Sequence, residues 1–514
     1  MPIPLPAPLP VGGTTDAKVD HVRDEVVAAG PRWRIVKDCL AGDAAIKRRG
    51  RLYLPMPKPS DQSAENLADY ANYKERAVFY GVTRRTVDGW NGQVFSRDPL
   101  ANFDDGMDDL WYDIDGQGTS MDQQAKGALG SVMAYGRGGL LVDYPRTEGP
   151  LTIKEVAEGF IRPTIHFYGP ESIINWRMRK IGATHVPELI VLKELHSGVS
   201  NDGFSLKTVD QYRVLRLTRD EQYVIEVFQV GEKDGIWVLK ERYAMRDPSG
   251  KPVTRILFFP LGIAQNNFNV DLSPTYDLAV LNVAHYRNSA DYEDSCFMVG
   301  QPTPVVAGVT QEWVEEVFKG KIELGSRAVI PLPVGGNATL LQVNPNTMTM
   351  EAMRHKEAQM VALGARIVKD DSVSKTLGQS QNDEASDSSI LATAAKNVSA
   401  AYSKALQVCG YLMGMKDTNN REKFQYLLNT DFPAARLTPN ERAQLILEWQ
   451  SEAISQSEMR AGLRRGGVAT LDLEAFRAEV KKFPPPQDAE KIQQGQKDNT
   501  PLNQGTGGGN QAGS

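Results

Sequence analysis

The sequence predicts an α+β protein of several domains, and three observations lead to that prediction. Near the N-terminus apolar residues recur at three- and four-residue steps, as on the buried face of a helix. From about residue 160 to residue 262 the period shortens to two, which is typical of strands. Helical patterns return after residue 273. Helices and strands segregated along a chain are typical of α+β architecture.

Composition limits the classes of protein to consider. The 514 residues are 41% hydrophobic and 24% charged, which is globular composition and enough chain for roughly two to four domains. No apolar run approaches the roughly 18 residues of a membrane span. Residues 1–15 hold five prolines and no basic residue, unlike a secretory signal, so we expect synthesis and use in a cytoplasm. The net charge of −6 argues against tight phosphate binding but does not exclude a surface past which DNA slides.

The first half of the chain is expected to form a helical part and a β-rich part. The proline-rich start is predicted to be extended, and helical spacing follows over residues 16–95 and 119–135. The second of these runs into Gly136 and a short strand at 140–144. In the β-rich part the strand-like runs are 213–218, 223–230 and 236–240, with a Lys-Asp-Gly turn that predicts a hairpin or meander.

Two long helices with a small unit between them are predicted next. Ser273 and Pro274 form a helix start, a capping serine followed by proline, for a helix ending near residue 299. The second helix covers 347–368. At 1.5 Å per residue the two span about 39 and 33 Å, so they can pair side by side. Between them we expect an α/β knob with these elements: strands 303–307, 327–332 and 338–343, and a helix 311–318.

The remaining chain is predicted to be a polar loop followed by helices. Residues 369–388 contain no aromatic residue and are expected to form the loop, with a long helix from about 386 to 413. Thr438 and Glu441 mark a capping box that opens a helix to about residue 455. A last helix covers 471–483, and the composition of 484–514 is that of a disordered tail.

No catalytic motif stands out. The chain has no GxxxxGK[ST] loop, no GxGxxG after a strand and no GxSxG elbow. Cys39, Cys296 and Cys409 lie far apart and are expected to be buried or half-buried structural thiols rather than disulfide or zinc ligands. The glycines around Arg137 are interpreted as a tight turn, because a phosphate cradle should open a helix. We therefore predict no enzymatic activity, no cofactor and no metal.

Two clusters of charged residues are candidates for functional sites. Six aspartates lie between Asp104 and Asp115; they could ligate Mg²⁺ or Ca²⁺, but a linker with helix-capping aspartates is the preferred interpretation. Arg84, Arg85 and Arg97 lie among aromatic residues, as in single-strand binders. We favour aromatics facing a core or a neighbouring subunit, with the arginines paired to carboxylates.

The predicted order of elements, together with several segments, resembles the portal proteins of tailed bacteriophages. The resemblance is to a portal family long labelled as a domain of unknown function, and it covers about residues 60 to 415. No single segment is diagnostic, so its specificity rests on their order. The segments are 73–80, 85–95, 139–145, 173–176, 278–291 and 301–306.

The resemblance implies a division of the chain into the parts of a portal fold, with a helical stem, a β-rich wing, a small α/β clip and a helical crown. The implied parts are a disordered arm 1–15, wing 16–272, stem helix one 273–300, clip 301–346, stem helix two 347–368, tunnel loop 369–388, tunnel helix and return to the wing 389–437, crown helices 438–483 and disordered tail 484–514.

It also implies a function and partners. Portal proteins form a ring, typically of twelve subunits, at a capsid vertex, through which double-stranded DNA is packaged and ejected. The expected partners are other copies of the chain, the major capsid protein, the terminase and the head–tail adaptor, with no membrane. The expected location is the virion, and the host cytoplasm during assembly. Two alternatives stay open: a metal-dependent DNA-processing enzyme using the 104–115 aspartates, and a capsid scaffold or adaptor that forms no channel.

Two sets of residues are the candidate sites. The knob is expected to bind the motor and tail proteins, and its candidate contact residues are Gln311, Trp313, Glu316 and Phe318. The polar loop is expected to line the DNA channel with a net charge of −3 per subunit, which would repel phosphates within about 8 Å at physiological salt. Its charged residues are Lys369, Asp370, Asp371, Lys375, Asp383, Glu384 and Asp387.

Overall fold

A computed structural model describes most of the chain, as two compact units made of residues 1–430 and 431–514. The described residues are 18–103, 106–145, 162–199, 204–231, 236–299, 305–310, 312, 315–316, 330–333, 347–364, 377–418, 420, 422–430, 432, 439–465, 468–469, 471 and 473–482. They mix helix and sheet, so the predicted α+β class is confirmed. The predicted arm 1–15 and tail 484–514 lie outside them.

The first unit contains nine described helices. They are α1 (Asp24–Ala41), α2 (Asp43–Arg49), α3 (Ala64–Arg76), α4 (Val82–Val94), α5 (Asp108–Tyr112), α6 (Met121–Tyr135), α7 (Tyr276–Val299), α8 (Thr347–Ala362) and α9 (Leu377–Leu412). Helix α6 begins with a full capping box between Ser120 and Gln123. None of the described helices is both long enough and apolar enough to span a lipid bilayer.

Twelve strands are described in the same unit. They are β1 (Leu100–Asn102), β2 (Arg137–Asp143), β3 (Thr164–Tyr168), β4 (Ile173–Ile181), β5 (Thr184–Val199), β6 (Leu206–Leu217), β7 (Tyr223–Val230), β8 (Trp237–Ala244), β9 (Phe258–Gly262), β10 (Val305–Val309), β11 (Ile330–Pro333) and β12 (Gln425–Leu427).

The β-rich part consists of two antiparallel sheets. Strands β4 to β8 form a meander in chain order, and a three-stranded sheet has the order β3-β2-β9. The meander contains a proline at Pro187 in β5, opposite Met178, where the register of β4 against β5 shifts. A proline is tolerated there because β6 pairs with β5 only from Leu189 onward, so no strand flanks Pro187 on the other side.

Glycines next to Arg137 allow close packing of the three-stranded sheet. Gly136 ends α6 with a φ of 84°, the left-handed conformation that glycine adopts without strain. A Cβ on Gly139 would lie 2.1 Å from the ring of Phe258. The predicted tight turn is therefore found at Gly136, while Gly138 and Gly139 lie inside β2 against aromatic rings of its neighbours.

Two predicted boundaries and the predicted burial of one cysteine need correction. Helix α7 begins at Tyr276 rather than at Pro274, because Ser273 Oγ accepts from the Thr275 backbone N–H, 3.2 Å away, instead of reaching further into the helix. Helix α9 begins at Leu377, so residues 377–388 of the predicted loop are helical. Cys296 is exposed, whereas Cys39 and Cys409 are buried.

The second unit is helical in its described part. Its helices are α10 (Pro439–Gln450), α11 (Gln456–Arg465) and α12 (Leu473–Lys482). The capping box was predicted to open one helix that runs to about residue 455. Helix α10 instead ends at Gln450, and α11 begins six residues later, where the Glu458 backbone N–H donates to the Ser455 hydroxyl. Arg460 lies 3.7 Å above the Phe476 ring and joins α11 to α12.

Candidate functional site

The helix pair α7–α8 and the segment between its helices form the site that the sequence singled out. Helix α7 is anchored at its start by Ser273 and Thr275, whose hydroxyls both donate to the Ala134 carbonyl oxygen at the end of α6. Its apolar side packs into a core built from α1, α2 and α3. Tyr286 is the largest of its buried residues and lies edge-on to Phe79.

Polar side chains on α7 hold the extended segment that precedes α4. Asn282 accepts from the Thr83 hydroxyl at 2.9 Å and donates to the Tyr80 carbonyl oxygen at 2.7 Å. Ser289 accepts from the Val78 backbone N–H and donates back to the Val78 carbonyl oxygen. Because these atoms are buried, each loss would leave an unpaired polar group. The helix is thus fixed in rotation as well as in position.

The far half of α7 is tied to α3 by charged groups. The Tyr73 hydroxyl donates to Asp291 at 2.6 Å, and Arg76 pairs with Asp294 while its guanidinium lies 4.3 Å above the Phe297 ring. The carboxylate of Asp291 adds to the effect of burial, and the pKa of Tyr73 is raised well above its usual value.

Helix α8 packs antiparallel to α7. His285 Nε2 on α7 lies 3.4 Å from Glu357 Oε1 on α8. One turn further along α8, Met360 is buried against Leu278, near the start of α7, and against Val82. Burial lowers the pKa of His285 although Glu357 acts in the opposite direction. The predicted side-by-side pairing is therefore present over 276–299 and 347–362.

The segment between the two helices contains a parallel strand pair. Strand β10 pairs with β11 in parallel, with Val305 opposite Ile330. A parallel pair needs a crossover connection, and the predicted helix 311–318 lies in that connection. Of the predicted contact residues, Glu316 is exposed. Gln311, Trp313 and Phe318 lie outside the described residues, as does the predicted strand 338–343.

Helix α9 divides into a packed half and an acidic half. Over 36 residues it extends about 54 Å. In the second half Asn397 donates to the Gly262 carbonyl oxygen at 2.9 Å and the Tyr402 hydroxyl donates to Gln124 at 3.0 Å, which joins α9 to β9 and α6.

The acidic residues of the predicted channel loop are mostly on this helix. Asp383, Glu384 and Asp387 lie in its first three turns, where residues 377–389 include no basic residue. Lys369, Asp370, Asp371 and Lys375 lie outside the described residues, and their charges balance. The predicted charge of −3 therefore belongs to the helical stretch.

A partly buried ion cluster between the two sheets was not foreseen from the sequence. Arg213 on β6 pairs with Glu194 on β5 at 2.8 Å and with Asp143 on β2 at 3.0 Å. The Tyr168 hydroxyl and the Gln211 amide also donate to Glu194. Since Asp143 and Arg213 are 70 residues apart, only the paired sheets bring them together. One guanidinium joins a carboxylate on β2 to a carboxylate on β5, and the cluster therefore acts as a structural link between the sheets.

The aspartates of 104–115 and the arginines near Trp90 have structural roles where the structure describes them. Asp113 accepts from the Gly118 backbone N–H and pairs with Arg162, both at 2.8 Å, while Asp115 accepts from Gln117. Asp104 and Asp105 lie outside the described residues. Arg84 pairs with Asp88 at 3.7 Å and Trp90 is buried.

The described residues were also compared with the requirements of a metal site. In the ranges that the structure covers, no group of three or more histidine, cysteine, aspartate or glutamate side chains could hold a metal ion.

Comparison with known proteins gives one family match in sequence. The model of DUF4055, a domain of unknown function, matches residues 274–411, from the start of α7 to the end of α9. This is about a quarter of the chain. A search of the curated proteins finds no match.

Solved structures of gene transfer agent (GTA) particles are similar at a low level. A chain of the virion of a native GTA particle is 12% identical, with 78% of this chain and 93% of that chain covered and a TM-score of 0.34. A chain of the neck of an empty GTA particle computed with C6 symmetry is 12% identical, with 76% of this chain and 91% of that chain covered and a TM-score of 0.35. A chain of the neck of a native GTA particle computed with C12 symmetry is 13% identical, with 75% of this chain and 90% of that chain covered and a TM-score of 0.34. Superpositions at these TM-scores do not establish a shared fold.

Proposed function

We propose that this chain is a portal subunit, a structural protein that forms a ring at a capsid vertex and lets double-stranded DNA in and out. The observation that supports it best is the antiparallel pair α7–α8, with a strand-containing segment between its helices and α9 after it. This is the stem, clip and tunnel order of portal subunits. The DUF4055 match covers this same region, and the resemblance in sequence order extends it on the N-terminal side.

The proposed subunit works as a passive channel, and another chain supplies the energy. A ring follows from a heterologous interface that closes by rotation, and the expected number of subunits is twelve. The segment between α7 and α8 binds the terminase during packaging and the head–tail adaptor afterwards, while the outer surface meets the major capsid protein. The acidic half of α9 faces the DNA, where repulsion of phosphates keeps the duplex from sticking.

The oligomeric state tests this function directly. Native mass spectrometry of the purified chain at micromolar concentration should give one closed oligomer near twelve copies, and negative-stain images should show a ring with a central hole. A population of monomers and dimers alone would contradict the proposal. Compact oligomers without a hole would instead support a scaffold or adaptor.

A further inference from the structure

Strands β4 and β5 continue beyond their sheet as a two-stranded ribbon of residues 178–187, which we call the basic ribbon. Strand β6 pairs with β5 only from Leu189 onward, and four residue pairs extend past it, beginning with Met178 opposite Pro187. The ribbon closes with a two-residue loop in which Gly182 has a φ of 60°, a conformation that glycine adopts without strain. The ribbon therefore projects from the sheet with no described strand on either side.

The base of the ribbon is fixed by hydrogen bonds and an ion pair. The Arg23 backbone N–H donates to the Ile174 carbonyl oxygen at 3.0 Å, and its guanidinium donates to the Trp176 carbonyl oxygen at 2.9 Å. The Arg177 side chain pairs with Glu188 at 2.8 Å, from one strand to the other. Just after Arg177 the register shifts, and such a bulge bends a ribbon and increases its twist. A preformed ribbon of this kind loses little conformational entropy when it binds.

The ribbon is positively charged in a chain that is negative overall. Residues 177–187 contain no acidic residue, whereas the whole chain has a net charge of −6. Their basic residues are Arg177, Arg179, Lys180 and His185. Lys180 and His185 are exposed, and Arg179 is half-buried. Within the part of the chain that the structure describes, neither Arg179 nor Lys180 pairs with a carboxylate, so both cations are available to a ligand.

These basic side chains lie on both faces of the ribbon. Residues directly opposite each other in an antiparallel pair share a face, and neighbours along a strand alternate between faces. Arg179 and Val186 are therefore on one face, and Lys180 and His185 are on the other. A flat acidic surface, such as that of a protein, would meet only one of these faces. A groove with negative charge on both walls would meet both.

We propose that the basic ribbon binds double-stranded DNA by entering its major groove. That groove is about 12 Å wide, admits a two-stranded ribbon and runs between two phosphate backbones. Arg179 faces one backbone, while Lys180 and His185 face the other, and binding releases counterions from both. The four residue pairs extend the ribbon by roughly 13 Å, which exceeds the groove depth of about 8.5 Å. Because the contacts are with phosphates, they prefer no base sequence.

This contact rests on the proposed function, which brings double-stranded DNA to the chain, and it adds a second kind of DNA contact. The acidic half of α9 repels phosphates so that the duplex can move, whereas the ribbon attracts them. Sequence-independent binding of this type is weak, with a Kd of roughly 10⁻⁴ to 10⁻⁶ M at physiological salt. The ribbon therefore holds DNA loosely and releases it readily.

Fluorescence anisotropy of a short labelled duplex with the full-length chain tests the proposal. The double variant Arg179→Gln with Lys180→Gln should bind roughly tenfold more weakly at about 0.1 M salt. The slope of log Kd against log salt concentration should fall by about two for each ribbon bound. Arg179→Lys with Lys180→Arg keeps both charges and should bind as the natural chain does. A single strand of the same length should bind more weakly than the duplex, because it offers no groove.

The matched control is Arg34→Gln with Lys126→Gln, which removes one arginine and one lysine from exposed positions on α1 and α6. It should bind the duplex as the natural chain does. Equal losses in the two double variants, or no binding by the natural chain, would overturn the proposal. Unchanged duplex binding by Arg179→Gln with Lys180→Gln, together with weaker binding of labelled poly-glutamate, would assign the ribbon to an acidic protein instead.

Ring assembly is measured separately, by native mass spectrometry of the same variants. We expect the variant Arg179→Gln with Lys180→Gln to form rings while it binds the duplex weakly. A chain that forms no ring but binds the duplex through these two residues would contradict the proposed function and support the DNA contact of the ribbon.

Discussion

Arg213 lies where the two antiparallel sheets of the first unit meet, and its guanidinium joins them through Asp143 and Glu194. The side chain is one-fifth exposed, so the pairs are screened less than surface pairs. Burial alone would lower the pKa of Arg213, but the surrounding carboxylates raise it above its usual value. The carboxylates of Glu194 and Asp143 therefore offset the cost of burying the Arg213 charge.

Replacing Arg213 with methionine keeps much of the aliphatic stem and removes the charge. The free energy of unfolding should fall by roughly 3 to 5 kcal/mol, because two part-buried carboxylates lose their partner. Urea denaturation followed by circular dichroism measures it. The control is Arg177→Met, which breaks a more exposed pair with Glu188 and should cost under about 1 kcal/mol. Similar losses in both variants would mean that the cluster is not a link between the sheets.

At the level of elements, local patterns predicted the helices better than their ends. Ser273 and Pro274 predicted the presence of α7, but the helix starts two residues later than expected, and the Ser273 hydroxyl bonds to Ala134 in a distant part of the chain. The start of α9 was predicted nine residues too late, because residues 377–385 are mostly small or polar and show no apolar stripe. Strand β5 was not singled out, since Pro187 and its charged residues hide the alternation.

The contact between α7 and α8 should depend on pH through His285. Its pKa is lowered by burial, so the unfolded chain takes up a proton at higher pH than the folded chain does. Stability is therefore full above about pH 6.5 and decreases as the pH falls below that value. His166, also lowered by burial, adds a dependence of the same sign.

The variant His285→Gln isolates this contribution. Thermal unfolding measured from pH 7.5 down to pH 5 should show a smaller loss of stability than in the natural chain. An unchanged slope in His285→Gln would show that the histidine between the helices does not titrate differently on folding.

The acidic half of α9 gives a prediction for DNA movement. Asp383→Lys, Glu384→Lys and Asp387→Lys together reverse the charge of its first three turns in every subunit. Rings should still assemble, while packaging of DNA should slow or stall because phosphates are attracted instead of repelled. A packaging assay with labelled DNA measures it. The matched control, Asp370→Lys with Asp371→Lys, should have a weaker effect; normal packaging by the triple variant would place α9 away from the DNA.

At the level of the whole molecule, we expect the segment between α7 and α8 to be separable from the body. Because the two helices are antiparallel, the end of α7 at Val299 and the start of α8 at Thr347 lie at the same end of the pair. A short glycine linker can therefore replace residues 303–343. We expect a folded chain that forms rings but does not bind terminase or adaptor in a pull-down. Shortening the connection between β5 and β6 by deleting residues 200–203 is the control and should leave binding intact. Unimpaired binding by the deletion would remove this segment from the docking site.

The position of β2 between β3 and β9 has a consequence for synthesis on the ribosome. Strand β3 emerges soon after β2, but β9 follows more than 100 residues later. At a synthesis rate of 5–20 residues per second, the edge of β2 that pairs with β9 therefore stays unpaired for roughly 6 to 23 s. The β4–β8 meander can form during that wait from neighbouring strands alone. An open apolar edge invites pairing with another nascent chain. Translation of neighbouring copies on one message would therefore be the moment at which this protein is most exposed to misassembly.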